Sequence, residues 1–159
     1  MNKVSLDDYV RMLVDDIKST IEKQVKEEAK KGLRDAINET VYLRQKTYRP
    51  TYDLLDAVEI TNFKMGTKVA SFSIVINATK LNPEIRMPNE WNAHVGIDGQ
   101  SFRDVNGLVE VLDQGTKSHS FYMHDGYGFF EKAHKNLEVS LVQAMATSLR
   151  TKGWKVQVS

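Results

Sequence analysis

Residues 105–151 decide the fold, and they read VNGLVEVLDQGTKSHSFYMHDGYGFFEKAHKNLEVSLVQAMATSLRT. They open with a short apolar segment, pass the turn signal Gly115-Thr116, and cross an aromatic- and histidine-rich connection to a long amphipathic run. Apolar residues at steps of three and four in that run lie along one face of an α-helix. These are Phe129, Phe130, Ala133, Leu137, Leu141, Val142, Met145 and Leu149. The pattern predicts a strand or turn packed under a long C-terminal helix.

Composition sets the broad class of protein. A chain of 159 residues is long enough for one domain with a real core, and we expect a single domain over residues 1–159. The formal net charge of +1 favours no nucleic-acid, membrane or acidic partner, except through a local patch. No cysteine is present, which excludes disulfides and thiolate metal sites. No apolar run approaches the roughly 20 residues of a membrane span, and the first residues do not resemble a signal peptide, so we expect a soluble, intracellular protein.

A long helix is predicted near the N-terminus. Ser5 and Asp8 resemble a capping box, and apolar residues recur from Leu6 to Ile37 between charged ones. A helix from Leu6 to about Glu39 would be roughly 50 Å long, more than the diameter of about 40 Å expected for a compact domain of this size. Either the helix breaks near Gly32, or one end overhangs.

The apolar stripe of this helix also changes direction. From Ile17 to Leu33 the apolar residues step strictly by four, which rotates the stripe by about 160° on a 3.6-residue helix. One half would then face the core and the other a neighbouring subunit. A kinked or shorter helix is the alternative interpretation.

A β-hairpin is predicted after this helix. Residues 40–49 should form an extended connection, and Thr51 should cap a short helical turn over 52–56. Two strand-like runs follow, 57–65 and 68–78, joined by Gly66-Thr67. The apolar positions of the first run switch parity between Ile60 and Phe63, which predicts a β-bulge.

Two segments are less regular. Residues 79–106 show no sustained period, which predicts a long loop. Trp91 would anchor this loop in the core or act as an exposed contact residue. Lys152-Gly153-Trp154 fits a left-handed stop of the last helix, with Trp154 folding back on it. The tail 155–159 alternates Val156 and Val158, and could add a strand to a sheet edge of this subunit or another.

Catalytic and metal sites are poorly supported. His119, His124 and Asp125 are close in sequence, but no H-E-x-x-H pattern or regular ligand spacing accompanies the four histidines, which include His94 and His134. No serine lies in a G-x-S-x-G elbow, and no glycine pattern matches a nucleotide-binding loop. The acid pairs Asp7/Asp8 and Asp15/Asp16 are expected on a solvated face. The sequence therefore favours a non-enzymatic protein with no catalytic residue, metal or cofactor.

Nucleic-acid binding is the alternative function. Basic and aromatic residues interleave over 42–52, as they do in proteins that bind single strands. With His119, His124 and Asp125, this segment would suit a small nucleic-acid-binding or metal-dependent nuclease-like protein. A binding module for a small ligand is a weaker third hypothesis, because no convergent polar set is evident.

Three phrases resemble a known family. YRPTYDLLDAVEI (48–60) is similar to the Y-x-R-T-y-x-L-l-x-S-v stretch of the phage tail-component family, small proteins of long-tailed bacteriophages assigned to head–tail joining or tail completion. LVEVLDQGT (108–116) resembles its Y-a-x-y-v-E-x-G-T phrase. YGFFEKAHKNLEVSLVQAMATSLR (127–150) resembles the P-F-l-x-x-A motif that opens its last helix.

The resemblance implies a non-enzymatic α+β virion protein that forms a ring, often six-fold, between the portal assembly and the tail tube. Its partners would be further copies of itself, in a hexamer or a multiple of one, and other neck, connector and tail proteins of the phage. At most an incidental DNA contact and no membrane contact would be expected. It would reside in the virion, after assembly in the host cytoplasm.

The predicted architecture is thus a long N-terminal helix, an antiparallel hairpin or sheet, and a long C-terminal helix packed on the sheet. Residues 107–116 and the last helix would form the core. Predicted core residues are Phe72, Ile74, Ile76, Val109, Val111, Phe130, Leu137 and Leu141. Predicted subunit-interface residues are Trp91, Ile97, Phe102, Ile21, Val25, Trp154, Val156 and Val158. Ring contacts between them would be heterologous and must close.

Overall fold

A computed structural model of the chain describes residues 5–43, 53–66, 69–81, 105–115 and 125–158. In chain order they form a long N-terminal helix, a short helix at Asp53–Asp56, a two-stranded antiparallel sheet, a 3₁₀ turn at Ala78–Lys80, a middle helix and a long C-terminal helix. This is the mixed α+β architecture that the sequence predicts. The short helix lies where a helical turn is expected, whereas its predicted cap, Thr51, is outside the described residues.

The N-terminal helix is a continuous rod of 37 residues. Two α-helical parts, Leu6–Thr20 and Lys26–Ile37, are each followed by a π-helical turn, Ile21–Val25 and Asn38–Tyr42. The backbone stays right-handed at every junction, so the helix does not break near Gly32. At about 1.5 Å per residue it is roughly 55 Å long. An overhanging end is therefore the correct alternative.

The π-helical turns explain how this helix keeps one buried face. A π turn bonds residues five apart and holds more residues than an α turn, so the five-residue step from Thr20 to Val25 stays near one side. The apolar stripe consequently rotates less than strict α-helical geometry predicts. The second π turn also carries the helix through Tyr42, into a segment predicted as extended. Thr40 and Val41 are buried there, which favours the helical path over an extended one.

The hairpin has the predicted strands and the predicted bulge. β1 (Val58–Met65) pairs with β2 (Ala70–Ile76), and the register shifts between Thr61 and Lys64. Asn62 adopts a φ of 53° at that point. Within the bulge, the Phe63 ring lies under Nζ of Lys26, 3.6 Å from the ring centroid, and this cation–π contact ties the hairpin to the N-terminal helix.

The hydrophobic core lies where the second half of the N-terminal helix crosses the first half of the C-terminal helix above the hairpin. At this crossing Gly32 faces Leu137 so closely that a Cβ on Gly32 would lie 2.5 Å from Cδ2 of Leu137. The buried cluster consists of Leu33, Ala36, Ile37, Val41, Leu54, Val58, Phe129, Ala133 and Leu137. The last helix contributes to the core as predicted. Of residues 107–116, Val109 and Leu112 pack half-buried against the cluster, and the N-terminal helix supplies the buried residues on the facing side.

Residues 105–114 form a helix and not the predicted strand or turn. This middle helix, Val105–Gln114, ends against the start of the C-terminal helix, Phe129–Thr151. The backbone N–H of Tyr127 donates to the Leu112 carbonyl (2.8 Å), and the Phe130 N–H donates to Oδ1 of Asp113 (3.0 Å). Each helix thus satisfies free backbone groups at the end of the other. A five-residue apolar run fits strand and helix equally well, and this junction decides between them.

The other predicted core residues are distributed as follows. Leu137 is buried, while Ile74, Ile76, Val109 and Leu141 are half-buried and pack against the cluster. Phe72 is half-buried. Phe130 is 37% exposed, which contradicts the core prediction, because helical geometry places Phe129 and not Phe130 in line with Ala133 and Leu137. The side chain of Val111 lies outside what the structure describes.

Candidate functional site

The first turns of the N-terminal helix form the most exposed apolar surface in the described part of the chain. Ser5 caps them as predicted: its Oγ accepts from the Asp8 N–H (3.1 Å) and donates to Oδ2 of Asp8 (2.7 Å). Residues 5–12 are all exposed, including Leu6 at 77% and Val10 at 49%. We call residues 5–14 the N-terminal overhang. A well-capped helix that leaves its apolar side uncovered favours a contact with another molecule.

Four apolar residues of this region lie on one stripe of the helix. At 100° per residue, Leu6, Val10, Leu13 and Ile17 lie within about 60° of one another. Leu6 and Val10 are exposed, and Leu13 and Ile17 are half-buried. The side of the helix that contacts the rest of the chain lies roughly 70° from the middle of this stripe. The stripe is therefore continuous from the body of the subunit into the overhang.

The C-terminal segment clamps the base of the overhang. Gly153 has a φ of 92°, its N–H donates to the Arg150 carbonyl, and the Trp154 N–H donates to the Leu149 carbonyl. This is the predicted left-handed stop, in Schellman form. The indole of Trp154 then packs edge-on against Tyr9, with ring centroids 4.9 Å apart. The Trp154 side chain thus packs on the N-terminal helix, while its backbone N–H bonds to the end of the C-terminal helix.

Asp16 is the polar centre of this clamp. Its Oδ2 accepts from Nε1 of Trp154 (2.9 Å), and its Oδ1 accepts from Nζ of Lys152 (3.0 Å). Beneath it, the buried Thr20 hydroxyl meets the Ser148 hydroxyl at 3.3 Å. The prediction that Asp16 lies on a solvated face is wrong. Its carboxylate accepts a hydrogen bond from Trp154, which lies 138 positions later in the sequence.

These hydrogen bonds lower the pKa of Asp16 below its ordinary value of 3.8, the indole donor contributing most and Lys152 next. A carboxyl whose pKa falls on folding stabilises the fold above its unfolded pKa, and this contribution is lost as the pH drops through the folded pKa. We therefore expect Asp16→Asn to lower the melting temperature at pH 6, and the deficit to shrink below about pH 3.8. Thermal unfolding monitored by circular dichroism between pH 2 and 7 measures this.

Asp15→Asn is the matched control, since Asp15 is the exposed neighbour on the same helix. We expect it to leave the melting temperature nearly unchanged at every pH. An Asp16→Asn deficit of the same size at pH 2 and pH 6 would contradict the linkage.

The predicted interface residues come from three parts of the chain: the N-terminal helix, the C-terminal segment and the region 79–106. Val25 is 8% exposed and packs inside the chain, so it offers no surface to a neighbour, and Ile21 is half-buried. Trp154 is half-buried in the clamp. Val156 is half-buried and its carbonyl accepts from Nη2 of Arg150 (2.8 Å), whereas Val158 is 48% exposed. Trp91, Ile97 and Phe102 lie outside the described residues.

The tail does not join the subunit's own sheet over residues 155–158. These residues form no strand and run back along the end of the C-terminal helix. The bonds from Arg150 fix this path. Addition of the tail to the sheet of another subunit stays a prediction.

Two open depressions accompany the helices. A groove of about 860 Å³ runs between the N-terminal helix and the second half of the C-terminal helix. Its walls carry mostly polar and charged side chains, among them Gln24, Lys31, Ser140 and Thr147. A smaller hollow of about 250 Å³ lies beside Phe130, between Ile76 and Glu110. The sequence does not reveal either, because each forms between elements far apart in the chain.

Chemistry-bearing residues are scattered where the structure describes them. In the described ranges, no three His, Asp or Glu side chains converge as metal ligands would. His134 is exposed and lies 3.5 Å from Glu138 on the same helix. His94, His119 and His124 lie outside these ranges, as do residues 44–52, so the nucleic-acid hypothesis stays a prediction. None of the described helices is long and apolar enough to cross a membrane.

Comparison with known proteins adds no relative. No family model, no curated protein and no solved structure matches the chain. The fold and the exposed stripe are therefore the basis for a functional proposal.

Proposed function

We propose that this chain is a non-enzymatic virion protein of the head–tail interface of a long-tailed bacteriophage. In this proposal, copies of the chain pack into a ring between the connector and the tail tube, and neighbouring neck and tail proteins bind the ring. The ring would form in the host cytoplasm and remain in the virion.

The observation that carries the proposal is the exposed apolar stripe on a rigid, overhanging helix. Leu6 and Val10 of this stripe are 77% and 49% exposed, and Val14 beside it is 39% exposed. They lie on a helix that is capped at its start and clamped at its base. Removing apolar surface from water favours association. Such a surface suits a subunit whose work is to pack against other subunits.

The phrases that resemble the phage family also have a packing role. Residues from the second and third phrases meet at the junction of the middle and C-terminal helices, where Asp113 caps the latter. A junction of this kind positions helices. Such a role agrees with a structural function.

Negative-stain electron microscopy of the purified protein tests the ring. We expect closed rings for the natural sequence and loss of rings for Val10→Asp, because a charge would be placed within the apolar stripe. Val139→Asp is the matched control: Val139 is 60% exposed on the C-terminal helix, away from the stripe. Particles no larger than a single chain at every concentration would overturn the proposal, and salt-sensitive DNA binding by such particles would favour the nucleic-acid alternative.

A further inference from the structure

We propose that the N-terminal overhang docks against the overhang of a second copy of this chain, as an antiparallel helix pair. This inference rests on the proposed function only for the idea that the chain self-associates. A two-fold contact joins copies in pairs, so a ring built from such pairs also needs a second contact between them. It adds the surface, the occupant and the orientation.

The apolar stripe is self-complementary when two copies run in opposite directions. Placing Leu6 opposite Ile17 of the second copy brings Val10 opposite Leu13 of the second copy, and the two-fold axis repeats both pairs. All four positions lie on one narrow stripe, as two packed helices require. The stripe of one copy can therefore pair with the same stripe of a second copy, without a different partner surface.

Charge selects the antiparallel orientation. Asp7, Arg11 and Lys18 lie along the open flank of the stripe, opposite to the flank that carries Asp16. In an antiparallel pair each flank meets the same flank of the other copy, so Asp7 comes within about one turn of Lys18 of the second copy, twice. Arg11 meets its own copy once near the two-fold axis, so two attractive pairs are set against one like-charge contact. Among the described residues, neither Asp7 nor Lys18 has an ion-pair partner within the chain.

A parallel pair fits less well. The open flank would then meet the flank on which Trp154 and Lys152 already cover Asp16. Asp16 and Lys152 already pair with each other there, so Lys18 and Asp7 would have to compete for charges that are in use. Charged residues that flank a helix-pair stripe set its orientation in this way.

The size of the surface indicates a weak contact. From Leu6 to Ile17 the stripe is about 16 Å long, and pairing two such stripes would bury on the order of 1,000 Å². That is the low end for a specific interface. A covalent trap is therefore the appropriate measurement, and the chain suits it because it contains no natural cysteine.

Disulfide trapping tests the orientation. We would mix Val10→Cys with Leu13→Cys, bearing tags of different mass, under mild oxidation, and expect a mixed dimer at least tenfold more abundant than the homodimer of Leu6→Cys. Two Leu6 positions would be about 16 Å apart along the antiparallel pair, beyond the Cα separation of about 7 Å that a disulfide can bridge. Val139→Cys, at an exposed position away from the stripe, measures the yield of disulfides that form by random collision.

Charge exchange provides an independent readout. Asp7→Lys or Lys18→Asp alone should lower the yield of the Val10–Leu13 link about fivefold, since each places like charges at two symmetric sites. The double exchange should restore it. A dominant Leu6→Cys homodimer, or equal yields at all four cysteine positions, would overturn the proposal.

The outcomes separate this inference from the proposed function. If rings form but the Val10–Leu13 disulfide does not, the proposed ring stands and the antiparallel contact is refuted. The link in a protein that never exceeds a dimer would establish the contact and remove the ring.

Discussion

Replacing Phe129 by Ala should destabilise the fold by about 3–5 kcal/mol, the usual range for removing a fully buried aromatic ring. Phe129 is 0% exposed and belongs to the cluster that joins the N-terminal helix, the hairpin and the C-terminal helix. Its loss would leave a cavity where all three meet. Chemical denaturation in urea measures the free energy of unfolding.

The next residue provides the control. Phe130 has the same side chain, 4.8 Å away between ring centroids, but is 37% exposed. We expect Phe130→Ala to cost about 1 kcal/mol, since much of that ring already contacts water. Equal losses for the two variants would contradict the placement of the core.

The second large effect is expected at Gly126. Its φ is +66°, and a Cβ there would lie 2.4 Å from the backbone carbon of Gln114 and 2.5 Å from the carbonyl oxygen of Asp113. Backbone atoms cannot move aside as a side chain can. Gly126→Ala should therefore combine a conformational cost of about 1–2 kcal/mol with an overpacking cost of about 1–3 kcal/mol.

Gly128→Ala isolates the conformational part. Gly128 has a similar φ of +62°, and nothing lies within 4 Å of the Cβ position. We expect this variant to lose only the 1–2 kcal/mol of left-handed strain. If Gly126→Ala proved no worse than Gly128→Ala in urea denaturation, the close approach of the two helix ends would be refuted.

Local patterns predicted the elements whose cause is local. The Ser5 cap, the parity switch before Phe63 and the Gly153 stop each depend on a few neighbouring residues, and the structure confirms all three. The sequence predicts a strand or turn where the middle helix lies, because the apolar run is too short to reveal a period. What decides it is the capping contact between Asp113 and the C-terminal helix, which joins residues 17 positions apart.

The candidate site was harder to predict, because it depends on which apolar residues stay uncovered. The sequence shows that the N-terminal helix is too long for the domain, but not which end overhangs. The hydrogen bond from Trp154 to Asp16 holds the C-terminal segment at the base of the N-terminal helix, so the first turns are the end that overhangs. These residues are 138 positions apart, and no local sequence pattern predicts their contact. The sequence likewise predicts Val25 at a subunit interface, because it does not reveal the π turn that directs this side chain inward.

The clamp and the overhang have complementary roles in the proposed function. Contacts from Trp154 and Lys152 hold the N-terminal helix at Asp16, so the turns before it project at a fixed angle. A fixed projection lowers the conformational entropy lost when subunits associate. The exposed stripe supplies the apolar surface that association would bury.

The most direct test of self-association is the solution mass, measured by light scattering over a range of protein concentrations at moderate salt. We predict a closed oligomer, six-fold or a multiple, for the natural sequence and a smaller species for Val10→Asp. A mass that stays at 18.1 kDa, that of one chain, at every concentration would contradict the account.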